Sequence, residues 1–104
     1  MLDVGCGTGG LTVRVAQRGA RVVGIDVSST SLRHTRELKR KYNLTNLEVH
    51  QLPIERVCEL GRHFDQIIST GVLHHLAHPE AGLSALRDVL RPDGALHLMV
   101  YATY

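Results

Sequence analysis

The chemistry this chain can offer begins with carboxylates set against glycines. Asp3 stands two residues ahead of Gly5, and Gly7, Gly9 and Gly10 follow at once. Glycine lets a backbone turn sharply and admits a ligand without a Cβ in the way. A helix starting behind such a turn directs its unpaired N–H groups towards the same place. A second acid, Asp26, follows the first glycine by about twenty residues, the distance at which a βαβ unit brings a carboxylate to a ribose. Its two acceptor oxygens match the two ribose hydroxyls; the competing role is a strand-end cap for the next helix. A third group is the histidine run His74, His75 and His78, in the string HHLAH. Its spacing superficially suggests a metal site, but Glu80 is the only carboxylate close by and no cysteine is near. No metal is therefore expected, and His74 and His75 remain as weak candidates for a general base should an acceptor have to lose a proton.

Gly5, Gly7 and Gly10 satisfy the dinucleotide pattern GxGxxG, which alone is ambiguous. Asp3 tips the balance, because a carboxylate beside the turn would face the anionic pyrophosphate of a dinucleotide. A ligand with a cationic or hydrogen-bond-donating end suits the position better. S-adenosylmethionine is such a ligand, with an ammonium, a sulfonium, a ribose and an adenine but no phosphate. The stretch LDVGCGTGG closely resembles the first motif of the class I S-adenosylmethionine-dependent methyltransferases. GIDVSSTSL resembles the segment after that family's second strand, VLHHL behind FDQIIST the segment after its fourth, and LRPDGALHLMV the turn into its fifth. The resemblance runs from end to end of the chain, in the family's own order.

The resemblance implies S-adenosyl-L-methionine as cofactor and places its contacts at three strand ends. Asp3, Gly5, Cys6 and Gly7 belong to the glycine turn, with Asp3 orienting the methionine end directly or through water. Asp26 and Val27 follow the second strand, with Asp26 on the ribose. Ser69, Thr70 and Gly71 flank the cofactor from the other side, since open parallel sheets bind ligands outside the carboxyl ends of their strands. Leu73 lines the pocket near the adenosyl group. One departure concerns the acid that the family often carries after its third strand to accept from the adenine amino group. Leu52, Pro53 and Ile54 stand there instead, and the nearest acid is Glu55. Either Glu55 reaches the ring, or backbone groups and apolar contact with Leu52 and Ile54 hold it.

The elements that must carry these residues alternate regularly. A first strand runs into the glycines, and a helix with Leu11, Val13, Val15 and Ala16 as its apolar residues stops at Gly19. Arg21–Asp26 reads as a buried parallel strand. Ser28–Tyr42 reads as a helix capped by Ser28 or Ser29, with Leu32, Leu38 and Tyr42 inward and Arg33, Arg36, Lys39, Arg40 and Lys41 on a solvated face. Leu47–Leu52 is a third strand, Glu55–Gly61 one or two helical turns, and Phe64–Thr70 a fourth strand. Pro79 starts a helix with Leu83, Leu86 and Leu90 as its stripe. Arg91-Pro92-Asp93-Gly94 turns that helix into a last strand, Ala95–Tyr101. The fold class is α/β, a Rossmann-like open parallel sheet of strand order 3-2-1-4-5 with helices on both faces. The family's last two strands are missing, so residues 1–104 read as a partial class I methyltransferase domain. Its strand 5 would be an uncovered apolar edge, which predicts marginal stability or aggregation.

Composition bounds the alternatives. The chain has 104 residues, a formal net charge of +2 and 43% hydrophobic residues. That is one small domain whose charge implies neither a membrane nor a nucleic-acid partner. Cys6 and Cys58 lie far apart, no signal peptide is recognisable, and no apolar run reaches a membrane span, so a cytoplasmic setting is expected. The competing readings are a fragment that binds the cofactor or a partner without catalysis, and an NAD-dependent oxidoreductase.

Overall fold

The computed structural model describes residues 1–5, 10–70 and 79–99. Five strands form one sheet, with β1 at Leu2–Val4, β2 at Val22–Asp26, β3 at Leu47–Gln51, β4 at Phe64–Thr70 and β5 at Leu90–Met99. Their order is β3-β2-β1-β4-β5 and every pairing is parallel, as the sequence leads one to expect. Helix α1 (Gly10–Gln17) joins β1 to β2, and α2 (Ser29–Lys41) joins β2 to β3. A 3-10 helix (Ile54–Leu60) leads to β4, and α3 (Pro79–Val89) leads to β5. The order reverses at β1, where the chain leaves towards β2 on one side and β4 occupies the other.

Alternation along the strands builds two apolar layers. Leu2, Val4, Val23, Ile25 and Ile67 pack on one face against Ile54 and Val57 of the 3-10 helix and Leu86 and Val89 of α3. Val22 and Leu47 pack on the other face against Val13 and Ala16 of α1 and Leu44 behind α2. Helices thus cover both faces, as right-handed crossovers on either side of β1 require. Asn46 ties the second layer together, its amide donating to the carbonyls of Ala16 (2.8 Å) and Ala20 (2.6 Å). Those carbonyls, at and just beyond the end of α1, are the sort a helix terminus leaves without partners.

Local signals place most boundaries. Ser28 caps α2, accepting from the Ser31 N–H at 3.2 Å. Gly61 ends the 3-10 helix with φ 66°, a conformation costly for any residue with a Cβ. The buried side of α2 differs from the sequence expectation: Leu32 and Thr35 are fully buried, whereas Tyr42 is exposed. Tyr42 is the C-cap residue of α2, and Leu44 just beyond it takes the apolar position instead. The basic residues Arg33, Arg36, Arg40 and Lys41 are exposed, as expected.

A second correction concerns β5. The expected turn at residues 91–94 is a bulge within the strand. Phe64 pairs with Leu90 and Gln66 with Ala95, so Asp65 alone spans the four residues between. Leu90 therefore belongs to the strand, and Val89 takes its place in the stripe of α3. Gly94 makes the bulge possible, because a Cβ there would lie 2.8 Å from the Asp65 carbonyl and 3.0 Å from that of Arg91. The outer end of the expected strand, Tyr101, lies outside the described residues. Among those described, no helix is long and apolar enough to cross a membrane.

Candidate functional site

The carboxyl ends of β1, β2 and β4 lie side by side at the point where the strand order reverses. Asp3 is in register with Gly24 and Ile68, and Val4 with Ile25 and Ser69. One step further on, the Gly5 N–H donates to the Ile25 carbonyl at 2.8 Å. Gly5 has φ 73°, so the chain leaves β1 through a left-handed position that glycine adopts without strain. The pair interaction brings the turn level with Asp26, the last residue of β2.

Asp3 and Asp26 share a face. Leu2 and Val4 point into the layer under the 3-10 helix and α3, so Asp3 between them points towards α1. Gly24 is its partner across β2, and Asp26 lies two residues further along that same face. Asp3 is only 2% exposed and accepts from the hydroxyl of Thr12, in the first turn of α1, at 2.5 Å. Burial pushes its carboxyl above the ordinary carboxylate range; the Thr12 bond opposes that and the Asp26 charge adds to it. Asp26 is half-buried, and its Oδ1 accepts from the Ser28 N–H at 2.9 Å. The Asp26 carbonyl accepts from Leu52 and that of Val27 from the Gln51 side chain (3.1 Å each), which fixes the rim of the crevice beside β3. Val27 is 65% exposed, a large apolar side chain left at the mouth of the site.

The remaining expected residues divide. Ser69 is buried at 2% exposure, but alternation puts its side chain on the face of Val4 and Ile67, opposite to Asp3 and Asp26. Thr70 ends β4 beside the turn. Cys6, Gly7, Gly71, Leu73, His74 and His75 lie outside the described residues. Of the positions weighed for adenine, Ile54 is 3% exposed and occupied in the core, Leu52 is half-buried against it, and Glu55 is exposed. A broad cleft of about 700 Å³ opens elsewhere, between α2 and β3, lined by Arg36, Lys39, Arg40 and His50 among others. It is lined by none of the expected site residues. Thr12 was not expected to take part; its only sequence signal is a hydroxyl on an otherwise apolar helix side, just behind the glycines.

The donor set fits the expected cofactor better than a dinucleotide. Both carboxylates offer acceptors to hydroxyls or an ammonium, and Asp3, beside the turn itself, would face and repel a pyrophosphate. The exposed Val27 offers apolar contact to a nucleoside.

Comparison with known proteins points the same way. A family model described as a methyltransferase domain matches residues 2–96. An uncharacterized protein of Synechococcus sp. is 40% identical over 105 residues, covering 98% of this chain and 25% of that protein. The ubiquinone biosynthesis O-methyltransferase of Acinetobacter baumannii is 33% identical over 95 residues, covering 90% of this chain and 40% of that enzyme. Among solved structures, coclaurine N-methyltransferase bound to N-methylheliamine and SAH superposes with a TM-score of 0.83 at 32% identity, covering 93% of this chain and 29% of that one. The cyclase SpnF superposes with a TM-score of 0.87 at 26% identity, covering 93% and 36%. The chain thus spans between about a quarter and two fifths of the curated relatives it matches. With the family model matching nearly its whole length and the sheet order and crevice agreeing, this chain belongs to the class I S-adenosylmethionine-dependent methyltransferase domains.

Proposed function

We propose that residues 1–104 form the cofactor-binding part of a cytoplasmic methyltransferase that moves a methyl group from S-adenosyl-L-methionine to an acceptor. The observation that carries this reading is that Asp3 and Asp26 lie on one face of the sheet, next to Gly5 at the strand-order reversal. When bound, the cofactor supplies a methyl group already activated by its sulfonium. The chain's own residues bind and orient. Asp3 receives the methionine end, Asp26 accepts from the ribose hydroxyls, and Val27 covers one side of the nucleoside. Gly5 and Gly7 let the ligand approach the backbone, and Cys6, Thr70, Gly71 and Leu73 complete the contacts, with Ser69 contributing through its backbone alone. Holding two reactants in line can contribute about 7–11 kcal/mol in favourable cases, which makes positioning the main contribution of such a site. His74 or His75 would act as base only for an acceptor that must lose a proton.

A second reading is a fragment that binds the cofactor or a partner without catalysis; that one superposing structure is named as a cyclase and not as a methyltransferase favours keeping it, since one fold can serve different chemistries. Calorimetric titration of the chain with S-adenosylmethionine, S-adenosylhomocysteine and NADH tests the binding step. Saturable binding of the first two and none of NADH is expected; the reverse pattern would make the chain an oxidoreductase fragment. Release of labelled methyl to acceptors of several classes then separates transfer from binding alone.

A further inference from the structure

Among the described residues, Thr12 and Thr35 are the completely buried threonines, and both hydroxyls donate hydrogen bonds. Thr35 bonds within its own helix, donating to the Ser31 carbonyl at 3.0 Å. Thr12 bonds across elements, from the first turn of α1 to the carboxylate of Asp3 on β1, nine residues earlier. A β-branched polar residue on the buried side of a short helix has no advantage in helix propensity, and a buried hydroxyl must be satisfied. An apolar residue of the same size would pack there at no such requirement. We propose that Thr12 is the positioning residue for Asp3, holding the carboxylate in the plane in which it receives the ammonium end of S-adenosylmethionine. The inference rests on the methyltransferase reading above.

Rotation of a carboxylate about its last bond is soft and has two broad minima. One donor on Oδ2 from a rigid element removes that freedom, so the cofactor does not have to order the group when it binds. The hydroxyl also favours the charged form of Asp3, opposing the upward push of burial and of the neighbouring Asp26. Its neighbours Val13 and Ala16 anchor α1 in the second apolar layer, so the hydroxyl sits on a fixed element.

The test compares the full chain with T12V, which keeps the volume, and T12S, which keeps the hydroxyl, by titration with S-adenosylmethionine and by thermal melting. T12V should bind about ten- to a hundredfold more weakly, the usual strength of a hydrogen bond to a charged group, and T12S close to the unsubstituted chain. Placed in a D3N background, T12V should add little to the loss D3N causes alone, because the two residues act as one unit. Unaltered binding by a folded T12V, or a full T12V effect persisting with D3N, overturns the assignment. Should T12V not fold, T12A makes the same comparison without a methyl against the carboxylate. If the unsubstituted chain binds no S-adenosylmethionine, the methyltransferase reading fails and this inference falls with it. Binding by the chain and by T12V alike sinks only the role of Thr12.

Discussion

Asp26 separates a structural role from a functional one, because its two oxygens can be removed in different ways. Its Oδ1 accepts from the Ser28 N–H at 2.9 Å, just where Ser28 caps α2. Asp26→Ala removes that acceptor at a half-buried position, which should cost about 0.5–2 kcal/mol, the range measured for lost helix-start acceptors. For a domain of about this size, each kcal/mol lowers the melting temperature by about 4–8 °C. Asp26→Asn keeps a carbonyl oxygen for Ser28, so its melting temperature should stay close to that of the unsubstituted chain. Binding behaves otherwise. A ribose donating two hydrogen bonds to a carboxylate loses the charge and one acceptor in Asp26→Asn. Bonds to charged groups are worth about 1.5–3 kcal/mol, so the Kd for S-adenosylmethionine should rise about ten- to a hundredfold. Calorimetry beside melting curves on the two variants reads both quantities. Equal affinity for Asp26→Asn and the unsubstituted chain would refute the ribose assignment.

Other outcomes follow from the same contacts. Asp3 carries a carboxyl raised by burial, so the fold favours its protonated form; stability is fully present below the ordinary value of 3.8 and is lost as pH rises through the folded value. Asp3→Asn should therefore gain in melting temperature over the unsubstituted chain as pH increases, while binding the cofactor less well; a constant difference across pH would contradict this. Gly94→Ala forces a Cβ against two backbone carbonyls at 2.8 and 3.0 Å. Denaturant unfolding should register about 1–3 kcal/mol of destabilisation, as for other overpacked sites. On the surface, Arg62 first and His50 second hold Glu48 down to about 2. That contribution is present above the ordinary value of 4.5 and lost as pH falls through about 2, so Glu48→Gln should matter least in strong acid. Because the side chain is 48% exposed, solvent screening should keep the cost at neutral pH below about 1 kcal/mol.

Much of this protein was legible before any coordinates. The order of strands and helices, a cap at Ser28 or Ser29 and the span Phe64–Thr70 follow from short-range patterns, and the sheet order 3-2-1-4-5 from the resemblance to the methyltransferase fold. Asp3, Gly5 and Asp26 could be singled out because their spacing along the chain reflects a βαβ unit. The errors lie where two elements decide jointly. The turn at residues 91–94 contains the residues of a free turn, yet the β4 backbone captures it as a bulge. Tyr42 continues the apolar side of α2 in the sequence, but the helix ends at Lys41, Tyr42 is exposed and Leu44 is the residue buried in the second layer.

The amino-acid order by itself determined which segments are strands and helices, and which residue types stand at the strand ends. Both are governed by local backbone preference and by periods of two and 3.6 residues. Only the tertiary structure decided that Asp3 faces α1 and meets Thr12, that Asp26 shares its side of the sheet, and that Ser69 is turned to the other. Those facts depend on register between strands distant in sequence. A shift of one residue reverses every side chain, and no local pattern fixes which of the two faces a given carboxylate will take.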